Sequence, residues 1–165
     1  MQQLLISDAN ILIDIEEGGL IKYLFCLPYQ FMIPDILFYE ELDEQHKYLL
    51  DDGLKLAGLS EETMRYAEEV TTKYRDPSRN DCFALALAQQ EKCSLLTGDK
   101  NLRKAAEAEG VIVMGTIWIV DRMVSNQLIT IEQAEEAYQC MQKARRRLPW
   151  EKAFASLKDL KNEFS

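Results

Sequence analysis

Along most of the chain, short apolar runs alternate with stretches of helical periodicity. LLIS at 4–7 and FMIP at 31–34 have the length and composition of buried strands, and between them ANILIDIEEGG reads as a helix closing at Gly18-Gly19. Pro34 stands where a second helix, IxxYEELxEQHKYL, begins; its missing N–H costs little in a first turn. LKLAGL at 54–59 is a candidate third strand, and Ser60 opens the helix SEETMRYAEEVTTKY, whose early acids suit a positive helix N-terminus. After the polar loop RDPSRND comes DCFALALAQQEK, an Ala-rich helix apolar enough to require burial. CSLLT at 93–97 is a strand, GDKNLRKAAEAEG a turn and a helix closed by Gly110, and VIVMG at 111–115 a last strand.

Strands alternating with helices imply parallel pairing. The expected fold is an α/β three-layer sandwich with a central parallel sheet of about five strands, followed by C-terminal helices. Beyond about residue 116 only helical patterns occur: TIWIVDRMV, TIEQAEEAYQCMQKARRR and PWEKAFASLKDLKNEF. We divide the chain into a domain over residues 1–125 and a helical extension over 126–165 packed on the same domain. The sequence contains no internal repeat.

Composition narrows the class. The 165 residues are 47% hydrophobic, enough for a full core without staples. No apolar run reaches the roughly 18–20 residues that cross a bilayer, and MQQLLISDAN has no basic segment ahead of its apolar stretch, so a cytoplasmic protein without a membrane partner is expected. Cys26, Cys82, Cys93 and Cys140 form no CxxC pair, and His46 is the single histidine, which disfavours a zinc site. A net charge of −9 argues against a protein that coats nucleic acid non-specifically. The charge is nonetheless uneven: residues 140–165 carry +4 and the remaining 139 carry −13.

Candidate chemistry lies in scattered carboxylates. Asp8 follows the first strand, Asp99 follows the LLT strand, and Asp81 stands in the first turn of the Ala-rich helix. In an open parallel sheet all three would project from the carboxyl edge, where ligands bind. Glu41 lies about two turns into the helix after the second strand, from where a long side chain reaches back. Gathered acids repel one another unless a divalent cation neutralises them, and Mg²⁺ takes one or two carboxylates directly with several waters. Such a site polarises a phosphodiester oxygen and activates water, with no Cys or Ser nucleophile. Each acid also has a plainer role: Asp8 and Asp99 as helix caps, Asp81 as a favourable first-turn charge, and Glu41 as one of Glu40, Glu41, Asp43 and Glu44 on a solvated face.

The motif contexts resemble PIN-domain nucleases. SDANILID resembles their opening motif, with Asp8 and Asn10; IPDILFYEEL resembles the second and selects Glu41 over Glu40, which stays as a substitute; RNDCFALALA and LLTGDKNLRKAA resemble the third and fourth. The match runs over about residues 4–115 in order. The resemblance implies an endoribonuclease dependent on Mg²⁺ or Mn²⁺ that leaves a 5′-phosphate. Asp8, Glu41, Asp81 and Asp99 would be its catalytic and metal-binding acids, with Asn10 and Thr97 as supporting groups. It also implies RNA as substrate, and, among small stand-alone members, a VapC-like toxin with an antitoxin protein as partner and a homodimer as assembly. GVIVMGTIWIVDRMV is similar to a PIN subgroup in which Gly-Thr follows the last strand.

Arg75 and Arg79, in the loop before Asp81, are candidate RNA contacts or plain solvated arginines. Arg145-Arg146-Arg147 either faces phosphate or an acidic partner, or places cations at a helix C-terminus. Trp118 and Trp150 read as core or interface residues. The competing class is a catalytically silent PIN-like module that binds RNA or a protein; retention of all four acids favours the enzyme. Haloacid-dehalogenase phosphatases want DxD after the first strand, where this chain has DAN, and receiver domains want an Asp after the third strand that LKLAGLS lacks.

Overall fold

A computed structural model describes residues 2–42 and 44–164, so Asp43, one of the acids expected on a solvated face, lies outside the described residues. Five strands form one sheet: β1 Gln3–Ser7, β2 Tyr29–Pro34, β3 Lys55–Ala57, β4 Ser94–Leu96 and β5 Val113–Met114. Their order is β3-β2-β1-β4-β5 and every pairing is parallel. The expected α/β three-layer architecture with a parallel five-stranded sheet is what the chain adopts.

Side chains of successive strand residues point to opposite faces, and this alternation divides the core. Leu5, Phe31, Ile33 and Leu96 enter one apolar layer with α1 (Ala9–Glu17), α2 (Ile21–Leu24), α8 (Thr116–Ser125), α9 (Ile131–Lys143) and α10 (Trp150–Phe164). Ile6 and Leu95 enter the other with α5 (Glu61–Lys73), α6 (Arg79–Glu91) and α7 (Lys100–Ala108). Helix α6 is buried without a break from Cys82 to Ala88, as its Ala-rich composition demands. Small side chains let it lie close to the sheet while α5 covers its outer side. Ala134, Ala137, Tyr138, Met141, Ala153 and Leu157 bring α9 and α10 into the same core as α1.

One expectation is corrected. The segment after Pro34 is not a continuous helix but a succession of turns: α3 (Asp35–Leu37), a π-helical turn Phe38–Leu42, a 3₁₀ turn Glu44–His46 and α4 (Tyr48–Asp52). The segment must serve both layers. α3 packs on α6, the π-helical turn packs on α1, and a straight helix cannot lie against both. Leu37, Phe38, Leu42 and Leu49 are buried by this path. The strand expected at 54–59 shortens to its centre, because β3 is an edge strand with one partner.

Tyr138 is fully buried among Trp150 and Phe154, and its hydroxyl has no hydrogen-bond partner among the described residues. Replacing an unpaired buried polar group with an apolar one of the same shape is neutral or stabilising. Tyr138→Phe is therefore expected to raise unfolding free energy by up to about 1 kcal/mol in denaturant titrations. A loss of more than that would contradict the packing described.

Candidate acidic site at the carboxyl edge of the sheet

The chain leaves β1 for β2 on one side and resumes at β4 on the other, so the topological switch point falls between β1 and β4. Ser7 and Leu96 are register partners there, which sets Asp8 beside Thr97 at the adjoining strand ends. The Asp8 amide donates to the Leu96 carbonyl at 3.0 Å. Asp8 caps α1, its Oδ1 accepting from the Ile11 amide at 2.9 Å, while the Thr97 hydroxyl donates to its Oδ2 at 2.5 Å. That same hydroxyl accepts from the Asp99 amide at 3.1 Å. Thr97, fully buried, thus ties the first and last acids together through one oxygen. Asp99 then caps α7, its Oδ1 accepting from Leu102 at 2.9 Å.

Asp81 holds the third position of a capping box at the start of α6: its Oδ2 accepts from the Ser78 amide at 3.0 Å, and Ser78 Oγ accepts from the Asp81 amide at 3.1 Å. Its Oδ1 and the Asp99 Oδ2 make no hydrogen bond among the described residues. The capping roles available from the sequence are thus all filled.

Electrostatic coupling converges on Asp81. Burial raises the Asp8 carboxyl to about 7, with the Thr97 and Ile11 hydrogen bonds pulling down and the charges of Asp81 and Asp14 adding to the rise. Desolvation lifts Asp81 too, reinforced by Asp99. Glu41 is raised by desolvation, then by Asp81 and Glu40. The geometry separates the two glutamates of the π-helical turn: Glu40 accepts from Asn80 Nδ2 at 2.9 Å, whereas Glu41 feels Asp81. No three Asp, Glu, His or Cys side chains among the described residues stand close enough to grip an ion by themselves.

Asn10 lies on the exposed side of α1's first turn, and its Oδ1 accepts from Arg146 Nη2 at 3.2 Å rather than meeting a carboxylate. Arg79 stacks on Phe83, 5.3 Å from the ring centre, and lines a groove of about 490 Å³ with Ile36, Glu40, Ser78, Asn80 and Phe83. Arg75 is exposed and makes no hydrogen bond or ion pair among the described residues.

Beside these residues stands a cluster that motif reading does not single out. Asp14, buried in the apolar stripe of α1, accepts from Thr116 Oγ1 at 2.8 Å and from Arg146 Nε at 2.6 Å. Burial raises its carboxyl while Arg146 and Thr116 pull it down. The available signal was an acid at a position flanked by buried Ile11, Leu12 and Ile15; buried charges require partners.

An all-parallel five-stranded sheet flanked by helices on both faces defines an α/β three-layer sandwich. The family model described as DUF3368: PIN domain matches residues 4–162, and the chain belongs to that family. Its fold is therefore of the nuclease type. Among solved structures, a PilT N-terminus domain protein from the hyperthermophilic archaeon Sulfolobus solfataricus P2 is similar, with 14% identity and a TM-score of 0.48 over 71% of this chain and 90% of that one. No curated protein matches the chain significantly. None of the described helices is long and apolar enough to cross a membrane.

The raised Asp8 carboxyl has a consequence for stability. Between its ordinary value of 3.8 and about 7 the native state holds a proton that the unfolded chain has lost, so stability falls as pH rises through that window. The span corresponds to about 4 kcal/mol at most. In chelator, Asp8→Asn is expected to flatten the pH profile of unfolding and to be more stable than wild type at pH 8. Parallel profiles for the two proteins would contradict the burial of a strained carboxyl.

Proposed function

We propose that the chain is a divalent-metal-dependent endoribonuclease whose working acids are Asp8, Glu41, Asp81 and Asp99. The observation that carries this reading is the tie between Asp8 and Asp99 through the Thr97 hydroxyl at the switch-point edge, with Asp81 close enough for its charge to add to the rise of Asp8 and Glu41. Structural caps alone have no need to share one edge.

The donor set fits a hard cation that keeps most of its waters. One or two carboxylates would bind it directly and the others would hold its waters, as Mg²⁺ or Mn²⁺ prefers. A cage of three protein ligands is not required, in keeping with the spacing of the acids. When bound, the cation supplies Lewis-acid polarisation of the phosphate and lowers the proton affinity of water. Thr97 fixes the Asp8 carboxylate and the Asp99 backbone relative to each other. Asp81 and Glu41, each with a raised carboxyl, are suited to accept a proton from an attacking water. Water attack at phosphorus breaks the bond to the 3′ oxygen, which takes a proton from solvent water and leaves as a hydroxyl, and the 5′ side retains the phosphate. Arg79, at the groove flanking Asp81, is a candidate for the RNA backbone, with Arg75 in the same loop.

With a fluorescent single-stranded oligoribonucleotide and Mn²⁺, wild type is expected to cleave and Asp8→Asn to fall to background. Thr97→Val, which removes only the bridging hydroxyl, is expected to lose about 10–100-fold, the range for groups that orient ligands. Chelator stops the reaction. RNA binding without cleavage at any metal concentration would instead support the silent binding module, and cleavage by Asp8→Asn at the wild-type rate would overturn the site.

A further inference from the structure

Three consecutive arginines follow α9, and they do not share one role. The helix ends at Lys143, and the chain then turns back on itself: the Arg145 amide donates to Gln142 and the Arg146 amide to Met141, both at 3.0 Å. Arg145 takes a left-handed φ of 62°, in the position where such turns ordinarily carry glycine. This costly turn aims the middle arginine at α1. Arg146 donates through Nε to Asp14 and through Nη2 to both the backbone carbonyl and the Oδ1 of Asn10, at 3.3 and 3.2 Å. Its side chain is only 23% exposed. Arg146 is a bolt between the extension and α1, with its charge committed to Asp14.

The outer two arginines are different. The side chains of Arg145 and Arg147 are exposed and make no hydrogen bond or ion pair among the described residues, and neither does that of Lys143. They flank a residue anchored on Asn10, which stands two positions along the helix that Asp8 caps. The chain carries 28 acids, yet these cations are left unpaired on either side of an arginine anchored in the first turn of α1. A polyanion approaching the acidic edge meets repulsion from Asp8, Glu41, Asp81 and Asp99 and needs a cationic flank. Guanidinium groups pair with phosphate oxygens in a planar fork.

We propose that Arg145 and Arg147 are phosphate ligands for an RNA strand passing over the first turn of α1, and that Arg146 is the positioning residue that holds them there. This rests on the nuclease reading of the acidic edge. An acidic protein segment would use the same cations; adjacency to the carboxylates favours the phosphodiester backbone.

The test is binding of a fluorescent single-stranded oligoribonucleotide to the full chain in chelator across a salt series, paired with Mn²⁺-dependent cleavage kinetics. Each phosphate contact to a single strand contributes about 0.7 to the slope of log affinity against log salt. Arg145→Gln/Arg147→Gln is expected to make that slope shallower by about 1.4, to raise KM, and to leave kcat and the melting temperature near wild type. Lys22→Gln/Lys92→Gln, exposed and near the opposite edge with the same change in net charge, is expected to match wild type. Arg146→Gln is expected to lower the melting temperature and weaken RNA binding together. Wild-type cleavage with an unchanged slope and KM in the arginine pair would overturn the inference alone. Loss of poly-glutamate binding in that pair, with RNA binding intact, would assign the patch to an acidic partner and overturn it too. A wild type that neither binds nor cleaves RNA would overturn the nuclease reading itself.

Discussion

A carboxylate cannot be buried at a strand end without groups that hold it, and the Thr97 hydroxyl is the group on which this edge depends. It donates to Asp8 and accepts from the Asp99 amide, so one oxygen sets the relation between the ends of β1 and β4. Two helices that leave the edge start from the acids it links, α1 at Asp8 and α7 at Asp99. The central strands converge here because the chain changes sides of the sheet between them. Structural capping and the gathering of charge are two consequences of one arrangement.

The second constraint is the cost of Asp14. A carboxylate within the apolar stripe of α1 is tolerable because Thr116, at the start of α8, and Arg146, after α9, both donate to it. These bonds fasten the C-terminal helices onto the layer that carries Asp8. Ser156 donating to Asp121 at 2.6 Å adds a tie between α10 and α8. Through them residues beyond 125 are joined to the helix that opens the acidic edge, and the family match extends over both parts.

Much of this was legible in the sequence for local reasons. Apolar runs of strand length, glycine stops and an Ala-rich helix each report a short-range preference, and the parallel sheet follows from their alternation. Asp8 and Asp99 could be found because a strand end is visible in the apolar pattern, and Asp81 because it opens a helix. The π-helical turn Phe38–Leu42 was not visible: the segment has helical composition, and only the need to pack on both α1 and α6 breaks it. The turn also gives the two glutamates different surroundings, Glu40 accepting from Asn80 and Glu41 lying in the field of Asp81. The Asp14–Thr116–Arg146 cluster joins positions separated by 102 and 132 residues, beyond the reach of any local pattern.

The central claim is that the acids act as one site with Asp81 at its centre. Mn²⁺ titration followed by electron paramagnetic resonance of the free ion tests it most directly, comparing wild type with Asp81→Asn. Asparagine can still accept from the Ser78 amide, so the capping box and the fold are retained while the charge is lost. The account predicts saturable binding in wild type, competed by Mg²⁺, and its loss in the folded variant. Equal Mn²⁺ affinity in the two proteins would contradict it.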